Sequence, residues 1–430
     1  MELRVSGNAK RLTGNIRVPG DKSVTHRALL LGAMAEGPTH IRGALRAGVI
    51  DAMRDCLGVL GVEIEDLGTD EILVHGTQWV SPHQPLTCRN SGTTMRLLMG
   101  ALAGSTVSAT LTGSRKLSQR PMARVTEPLR RMGAQITGTN GSDGPPLRIR
   151  GSTLSGIDYQ MPVASAQVKS AILLAGLKAE GRTQLSESIA TRDHSERLLR
   201  HLGVSVVRTD DVISLEPVQA PLPAFELEIP GDISAAAFLM AAAVLISDSL
   251  ITIENVGMNP TRTGLLDMLQ EMGAQIETSL LTESGGEPSG NVTVASSFLK
   301  GVDVRGAQVV SMIDEFPIFI VLATQAQGET RIRGAEELRF KESDRLSTMT
   351  AELRKMGARI EEHSDGLTIE GPTPLTGARV SSHGDHRVAM ALSIAGMLAS
   401  GETLISDAEI VSESYPDFTT TFRTVGAELA

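Results

Sequence analysis

Positively charged side chains stand beside residues that cap helices. Lys22 and Arg27 lie in the segment GDKSVTHR (20–27), where Asp21 and Ser23 precede an apolar run. The first turn of a helix has free backbone N–H groups, so cations placed there strengthen a site that already attracts anions. Since the chain has a formal net charge of −10 at pH 7, these local cations must hold any anionic ligand.

Five further segments place capping residues just before predicted helices: NSGT (90–93), ASAQ (164–167), GDIS (231–234), DE (314–315) and GDHR (384–387). Cations occur close to them and around Pro121, namely Arg96, Arg120, Arg124, Lys169 and Arg387. Arginine suits bidentate contact with carboxylates and phosphates, whereas lysine acts as a point charge. If like ends of these helices meet, we expect a cleft that binds anions.

The run Lys341-Glu342-Ser343-Asp344-Arg345 is compact and highly charged. Such a run by itself is typical of a solvated helix face. With cationic helix starts nearby, it becomes a candidate for chemistry. Glu342, Asp314 and Lys22 are the candidate proton donors and acceptors.

The sequence indicates no cofactor. It has no GxxxxGKS or GxxxxGKT segment and no GxGxxG after a strand, so a nucleotide cofactor is not expected. His26, His194 and His386 lack the spacing of metal ligands. The two cysteines, Cys56 and Cys88, are expected to be buried thiols.

A short phrase that ends a helix recurs six times along the chain. Its glycines, at intervals of 72, 70, 70, 84 and 69 residues, are Gly61, Gly133, Gly203, Gly273, Gly357 and Gly426. Each suits the left-handed stop after a helix. A second phrase, Gly-X-Thr, follows apolar helical stretches once in each of the six repeats, with a degenerate copy at 248–250. The two recurring phrases predict six related units, each with two helices and several short strands.

Length and a second duplication predict two domains. A chain of 430 residues exceeds one core, and the segment VPGD (18–21) resembles IPGD (229–232). We expect the chain to pass between domains near 18–21 and 228–232. The first domain would be 1–19 with 229–430 and the second 20–228, with three units each.

Composition excludes several classes of protein. With 41% hydrophobic and 21% charged residues, the chain is typical of an α/β enzyme, although its 3% aromatic content is low. Its acidic balance and scarce aromatic residues argue against binding nucleic acid. There is no apolar signal region, and the longest apolar run, 235–246, is too short to span a bilayer. We therefore expect a cytoplasmic protein with no membrane partner.

The order of the charged motifs resembles that of the enolpyruvyl transferase family, in particular its members that act on shikimate 3-phosphate. The motifs are GDKSVTHR (20–27), NSGTTMR (90–96), QRPM (119–122), PVASAQVKSA (162–171), TRDHSER (191–197), KESDR (341–345) and GDHRVAMA (384–391). The resemblance implies an inverse α/β barrel-like architecture of two domains, each with three βαβαββ units. This agrees with the repeats.

The resemblance also implies an activity. The carboxyvinyl group of phosphoenolpyruvate would be transferred to the 5-hydroxyl of shikimate 3-phosphate by addition and elimination through a tetrahedral intermediate, with release of phosphate. This reaction belongs to the shikimate pathway of aromatic amino acid biosynthesis. It would need no metal or organic cofactor, and the enzyme would be a monomer.

Matching motif by motif assigns residues to the two substrates. The shikimate 3-phosphate side would comprise Lys22, Ser23, Arg27, Ser165, Ala166, Gln167, Arg192, Asp314 and Lys341. The phosphoenolpyruvate side would comprise Lys22, Gly92, Arg124, Gln167, Arg345 and Arg387, with Arg120 as the alternative to Arg124. Arg124 is preferred because it lies three residues after Pro121. Asp314 would accept the hydroxyl proton, while Glu342 or Lys22 would protonate the methylene carbon.

Three positions bear on the comparison with the family. An acidic turn found in many relatives is replaced here by Arg46-Ala47-Gly48-Val49, which puts the capping of the next helix in doubt. Glu413 stands where some relatives have a lysine, so no cation is expected there. Gly92, at the position that controls room for glyphosate in the family, suggests a site open to that compound.

Two alternatives remain at this point. Members of the family that act on UDP-N-acetylglucosamine have a reactive cysteine in the loop that here spans 113–120, a segment without cysteine. A repeat scaffold that binds anions without turnover is the other alternative. It would bind phosphate esters and release no phosphate.

Overall fold

The computed structural model describes residues 2–430, apart from the side chains of Asn140 and Leu281. It contains two compact units. Unit 1 consists of the chain up to Pro19, Pro230–Thr282 and Pro288–Ala430, and unit 2 of Gly20–Ile229 and Glu283–Glu287. The short segment 283–287 thus groups with unit 2, whereas the predicted boundaries put it in the first domain.

The chain begins in unit 1 with β1 (Glu2–Ser6) and β2 (Thr13–Arg17). Unit 2 then contains the helices α1 (Lys22–Met34), α2 (Gly48–Val59), α3 (Gly92–Ala103), α4 (Arg115–Ser118), α5 (Ala123–Arg131), α6 (Ala166–Gly176) and α7 (His194–His201). Its strands are β3 (Ala35–Arg42), β4 (Glu63–Asp66), β5 (Ile72–Gly76), β6 (Leu86–Thr87), β7 (Ser108–Thr112), β8 (Gln135–Gly138), β9 (Leu147–Arg150), β10 (Leu154–Ser155), β11 (Asp158–Gln160), β12 (Ala179–Glu180), β13 (Thr183–Ser186), β14 (Val206–Thr209), β15 (Val212–Leu215), β16 (Leu222–Pro223) and β17 (Glu226–Glu228).

Unit 1 resumes with the helices α8 (Ile233–Leu245), α9 (Gly264–Glu271), α10 (Ala307–Ser311), α11 (Phe316–Gln325), α12 (Arg345–Lys355), α13 (His386–Leu398) and α14 (Phe418–Thr424). Its remaining strands are β18 (Leu250–Gly257), β19 (Gln275–Ser284), β20 (Glu287–Ala295), β21 (Asp303–Val304), β22 (Gly328–Ile332), β23 (Arg359–His363), β24 (Gly366–Gly371), β25 (Arg379–Ser381) and β26 (Glu402–Ser406). Short 3₁₀ helices span Thr139–Gly141, Glu336–Phe340 and Ala408–Glu413.

One sheet pattern recurs in both units. In the order β6-β7-β9-β8, the first pair is parallel and the other two pairs are antiparallel, and β11-β13-β15-β14 and β21-β22-β24-β23 repeat this pattern. The sheets β16-β3-β5-β4 and β19-β20-β18-β2 are variants of it, and β25-β26 is completed by the N-terminal strand β1. Each of these six sheets belongs to a stretch of chain with two longer helices, while β10 and β12 form a separate pair, so the predicted α/β class with six repeated units is confirmed.

The glycines of the helix-ending phrase have the predicted left-handed backbone. All six have positive φ, from +80° at Gly203 to +106° at Gly426. In the second phrase, the degenerate copy keeps the conformation through Asp248, at φ +59°, while Gly104 departs from it, at φ −90°. The repeat therefore extends to the backbone conformation as well as to the amino-acid sequence.

The cores are built from helices that are apolar on nearly every face. In unit 1, α8, α11 and α13 contact one another, and in unit 2, α3 contacts both α1 and α6. A Cβ added at Gly100 on α3 would lie 2.2 Å from the carbonyl oxygen of Ala171 on α6, so the two helices approach closely because Gly100 lacks a side chain. Cys56 and Cys88 are buried free thiols in the unit 2 core, as predicted. None of the helices in the described part of the chain combines the length and apolar character that crossing a membrane requires.

Candidate functional site

The first polar cluster of unit 2 forms at the start of α1. The Asp21 side chain accepts hydrogen bonds from the backbone N–H groups of Ser23, at 2.7 Å, and Val24, at 2.9 Å. This cap fixes the first turn, where Lys22 and Ser23 are half-buried. An anion approaching this turn would meet the positive end of the helix dipole together with the Lys22 charge.

Arg27 lies one turn further along and is only 4% exposed. Its Nη1 donates to the carbonyl oxygen of Ser23 at 2.9 Å, Nε donates to Ser195 Oγ at 2.8 Å, and Nη2 donates to Ser170 Oγ at 2.7 Å. Burial lowers the pKa of Arg27 to about 10, although the negative charge of Glu196 opposes that shift. The guanidinium therefore stays charged at neutral pH and is held by three helices.

His26 belongs to the framework of this cluster. Nδ1 lies 2.8 Å from the carbonyl oxygen of Lys22, and Nε2 lies 3.3 Å from Ser91 Oγ, the side chain that caps α3. Burial lowers the pKa of His26 to about 4, so the ring is neutral at pH 7. Nε2 also lies 3.2 Å from the Val49 carbonyl oxygen in α2, so the ring links the starts of α1, α2 and α3 whichever nitrogen has the proton.

Gln167, at the start of α6, is oriented by two residues of α3. Its Nε2 donates to Thr93 Oγ1 at 2.8 Å, and its Oε1 accepts from Arg96 Nη1. Arg96 also donates from Nη2 to the Pro121 carbonyl oxygen at 3.3 Å. Ser165, half-buried beside Ala166, caps α6. Arg96, which was predicted only as a general cation, thus positions a proposed substrate ligand.

Gly92, the first residue of α3, faces the guanidinium groups of two arginines. A Cβ added there would lie 3.0 Å from Arg120 Nη1 and 3.4 Å from Arg96 Nη1. The three atoms nearest to that position all belong to Arg120 and Arg96. Arg124 lies half-buried in the first turn of α5. The structure thus brings Gly92 together with Arg120, the alternative that the sequence comparison placed second.

Lys169 has a different environment from the one predicted. It is completely buried, and its Nζ lies 2.7 Å from Glu196 Oε1 and 3.2 Å from Glu187 Oε1. Lys169 lies in the first turn of α6, as expected, but two buried carboxylates compensate its charge. Lys169 Nζ also donates to the Thr191 carbonyl oxygen at 3.1 Å. It therefore supports the loop that carries Arg192, which is half-buried.

In unit 1, the candidate acids surround Arg345. Its Nη2 donates to Glu342 Oε2 at 2.9 Å, Nη1 lies 3.5 Å from Asp314 Oδ1, and Nε donates to Asp385 Oδ2 at 2.9 Å. Arg345 is 1% exposed and Asp385 is fully buried. Burial opposes the charge of Arg345, but Asp385 and then Glu342 raise its pKa above the ordinary value. Burial likewise opposes ionisation of Asp385, and Arg345 nevertheless keeps the pKa of that carboxyl low.

Arg387, in the first turn of α13, belongs to the same cluster. Its Nη1 donates to the Asp314 carbonyl oxygen at 2.6 Å, and Nη2 lies 3.6 Å from Asp314 Oδ2. On its other side, Nη1 lies 3.6 Å from Glu315 Oε1. Glu315 in turn accepts from Ser234 and lies 3.9 Å from Arg262. Alternating charges therefore link the starts of α8, α11, α12 and α13.

Asp385 is a residue that sequence reasoning did not select. It caps α13 by accepting from the Arg387 N–H at 2.9 Å, and it holds Arg345 with the same carboxylate. The sequence did contain a signal for this role, because GDHR places a capping aspartate two residues before an arginine. What sequence could not show is that Arg345, 40 residues earlier, meets it.

The remaining predicted residues have clear positions. Lys341 is half-buried and directly follows the 3₁₀ helix that ends at Phe340. Glu413 is half-buried at the end of the last 3₁₀ helix. Ala47 stands at the N-cap of α2 and makes no side-chain capping bond, so the expected capping defect is present. Within residues 2–430, no group of three His, Cys, Asp or Glu side chains is arranged to hold a metal ion.

Comparison with protein families agrees with the motifs. The family model described as EPSP synthase (3-phosphoshikimate 1-carboxyvinyltransferase) matches residues 7–422. A protein of Thermodesulfovibrio yellowstonii named 3-phosphoshikimate 1-carboxyvinyltransferase is 48% identical over 419 residues, which cover 96% of this chain and 97% of the relative.

Solved structures agree with the fold. The EPSP synthase from Acinetobacter baumannii is 41% identical to this chain, with a TM-score of 0.89 and coverage of 100% of this chain and 99% of that chain. The enolpyruvyl transferase NikO from Streptomyces tendae has a TM-score of 0.82 at 20% identity and covers 100% and 98% of the two chains. The latter likeness concerns the fold alone.

Proposed function

The chain belongs to the EPSP synthase (3-phosphoshikimate 1-carboxyvinyltransferase) family, and we propose which of its residues carry out the reaction. It is an enzyme that transfers the carboxyvinyl group of phosphoenolpyruvate to the 5-hydroxyl of shikimate 3-phosphate, a step of the shikimate pathway. The family match over residues 7–422 carries this conclusion. The alternative acceptor UDP-N-acetylglucosamine is not favoured, because similar proteins are named 3-phosphoshikimate 1-carboxyvinyltransferase.

The proposed binding residues divide between the two anionic substrates. We assign to shikimate 3-phosphate the residues Lys22, Ser23, Arg27, Ser165, Ala166, Gln167, Arg192, Asp314 and Lys341. The capped starts of α1 and α6 supply backbone N–H groups and hydroxyls there. Arg27 supports the assignment because it is buried, charged and rigidly held, as a ligand for a fixed anion should be.

For phosphoenolpyruvate we assign Lys22, Gly92, Gln167, Arg345 and Arg387, with an arginine from the loop around Pro121. The sequence comparison preferred Arg124. The geometry favours Arg120, because its guanidinium is next to Gly92 and Arg96. Both the carboxylate and the phosphate of this substrate need such donors.

The chemistry requires one base and one acid. We propose that Asp314 accepts the proton of the 5-hydroxyl as that oxygen bonds to C2 of phosphoenolpyruvate, while Glu342 or Lys22 donates a proton to C3. In the second step, the group that gave its proton to C3 takes one back from C3 as the bond between C2 and the phosphate oxygen breaks, which leaves the new carbon–carbon double bond and free phosphate. The Lys22 charge would stabilise the departing phosphate. Arg345 contacts both carboxylates and so fixes the positions of Asp314 and Glu342.

Several broader properties are part of the proposal. We propose a first domain of 1–19 with 229–430 and a second of 20–228, with hinge segments near 18–21 and 228–232. The substrates are small molecules. We further propose that the enzyme is a cytoplasmic monomer that needs neither a metal nor an organic cofactor and binds no nucleic acid or membrane.

The deciding experiment incubates the protein with phosphoenolpyruvate and either shikimate 3-phosphate or UDP-N-acetylglucosamine and measures phosphate release. We expect phosphate only with shikimate 3-phosphate. Release only with the sugar nucleotide would identify the other branch of the family. Binding of both substrates without release in either mixture would support a non-catalytic scaffold.

A further inference from the structure

Two buried serines contact Arg27 in unit 2, and neither belongs to the residues assigned to a substrate. Ser170 on α6 and Ser195 on α7 are 1% and 3% exposed. Arg27 Nε donates to Ser195 Oγ at 2.8 Å, and Nη2 donates to Ser170 Oγ at 2.7 Å. The guanidinium is thus held by hydroxyls from two helices other than its own.

The protons of both hydroxyls are directed away from Arg27. Ser195 Oγ donates to Ser170 Oγ at 2.8 Å, and Ser170 Oγ donates to the Ala166 carbonyl oxygen at 2.6 Å. Because a hydroxyl has a single proton, this chain leaves oxygen lone pairs facing the arginine. Both serines can therefore act only as acceptors towards Arg27.

The arrangement leaves part of Arg27 available. A guanidinium has five N–H groups, and Ser195, Ser170 and the Ser23 carbonyl oxygen take one each, from Nε, Nη2 and Nη1 respectively. One N–H remains on each terminal nitrogen. These two groups can donate hydrogen bonds to an anionic group.

The surrounding charges make this frame rigid. Glu196, next to Ser195 on α7, favours the charged form of Arg27. Glu196 is itself paired with Lys169, the neighbour of Ser170 on α6, at 2.7 Å. The serines and this ion pair therefore join α6 to α7 beneath the guanidinium. Rotation of Arg27 would leave buried hydroxyl and N–H groups without partners, which is costly.

We propose that Ser170 and Ser195 are positioning residues that fix the Arg27 guanidinium for shikimate 3-phosphate. The inference rests on the proposed function, because Arg27 as a ligand of this substrate belongs to that proposal. Neither serine touches the reacting atoms. Their effect passes through the orientation of one arginine.

The test compares Ser170→Ala and Ser195→Ala with Ser393→Ala. Ser393 is a matched control because it is fully buried and its Oγ donates to the Ala389 carbonyl oxygen one turn earlier, at 2.9 Å, as Ser170 does with Ala166. We expect each Arg27-linked variant to raise the KM for shikimate 3-phosphate by about tenfold or more, since a hydrogen bond to a charged group is lost. The KM for phosphoenolpyruvate should change by less than about twofold, and Ser393→Ala should match wild type.

Conservative substitutions and a double-mutant cycle separate positioning from general stability. Ser195→Thr and Ser170→Thr retain the acceptor oxygen and should restore most of the affinity. In an Arg27→Lys background, which lacks the Nε donor, Ser195→Ala should change the KM for shikimate 3-phosphate by less than about twofold. Three results would overturn the proposal. The first is an equal increase in the KM values for both substrates, and the second is threonine variants as impaired as the alanine variants. The third is an effect of Ser195→Ala on KM that simply adds to that of Arg27→Lys.

Folding and function are checked in the same series. Thermal unfolding and calorimetric binding of shikimate 3-phosphate are measured for every variant. If Ser195→Ala does not fold, Ser195→Cys takes its place and Ser170→Ala is kept. The cysteine sulfur accepts hydrogen bonds only weakly, so Ser195→Cys should have a KM for shikimate 3-phosphate between those of wild type and Ser170→Ala. A wild-type protein that releases no phosphate would refute the proposed function. Active wild type with serine variants identical to Ser393→Ala would refute only the positioning role.

Discussion

At the scale of single residues, buried charge decides what each side chain can do. Arg27 and Arg345 are both almost inaccessible, yet each retains its charge because acidic or hydroxyl partners surround it. Lys169 has the same burial, but two glutamates take up its charge. Residue type alone therefore does not distinguish a substrate ligand from an internal ion pair.

His26 predicts a dependence of stability on pH. Its pKa falls from 6.5 to about 4 in the folded protein, so between these values the unfolded chain binds the proton and the folded chain does not. Folding stability should therefore decrease as the pH falls from about 6.5 to about 4, by about 3 kcal/mol from this group. Urea unfolding of wild type and His26→Gln across this range should show a smaller loss in the variant. Parallel curves would contradict the neutral, buried state of His26.

The arginines near Pro121 provide a second test at this scale. Arg120→Met should raise the KM for phosphoenolpyruvate by about tenfold or more, because a charge-assisted contact is removed. Arg124→Met, at a half-buried position that provides none of the three atoms nearest to an added Gly92 Cβ, is the matched comparison and should have the smaller effect. Steady-state kinetics with both substrates varied would decide between them. A larger effect at Arg124 would restore the assignment preferred from sequence.

At the scale of elements, helix starts and close helix contacts build the polar clusters. The caps Asp21, Ser91, Ser165, Asp232 and Asp385 accept from backbone N–H groups, as their residue types predict. The distance between helices depends on small residues within them. Because α3 carries Gly92 and Arg96 and α6 carries Gln167, the separation of these two helices sets the geometry at their starts.

Gly100 tests this dependence. In Gly100→Ala, the added Cβ would lie 2.2 Å from the Ala171 carbonyl oxygen, so α3 and α6 must separate. We expect a loss of about 3 kcal/mol or more in the free energy of unfolding, together with a higher KM for phosphoenolpyruvate. Gly58→Ala in α2 is the control, since nothing lies within 4 Å of its added Cβ. That variant should gain about 0.5–1 kcal/mol from helix propensity, and a comparable gain at Gly100 would contradict the packing argument.

At the scale of the whole molecule, each of the two units has its own hydrophobic core and its own polar cluster. Unit 2 carries Lys22 and Arg27, and unit 1 carries Asp314, Glu342 and Arg345. Each core is continuous within its own unit, so each polar cluster is supported locally. The proposed chemistry draws on both clusters.

Single substitutions in either unit should therefore impair turnover. Lys22→Met removes charge stabilisation of the departing phosphate, and Asp314→Ala removes the proposed base. Each should slow kcat by about 10² or more. Phosphate release at saturating substrates measures the effect, with circular dichroism to verify folding. A near-normal kcat in both variants would refute the assigned roles.

The six repeated units, the left-handed glycine stops, five of the six capped helix starts and the family were all predictable from the amino-acid sequence, whereas Glu315 at the N-cap of α11 makes no side-chain capping bond. These features depend on local backbone preference and on motifs read along the chain. Three pairings became visible only in the folded chain: Lys169 forms an internal ion pair with Glu196, Arg120 faces Gly92, and Asp385 holds Arg345. Such pairings join residues far apart in the chain, and their energies depend on burial and distance, which follow from packing and not from residue type.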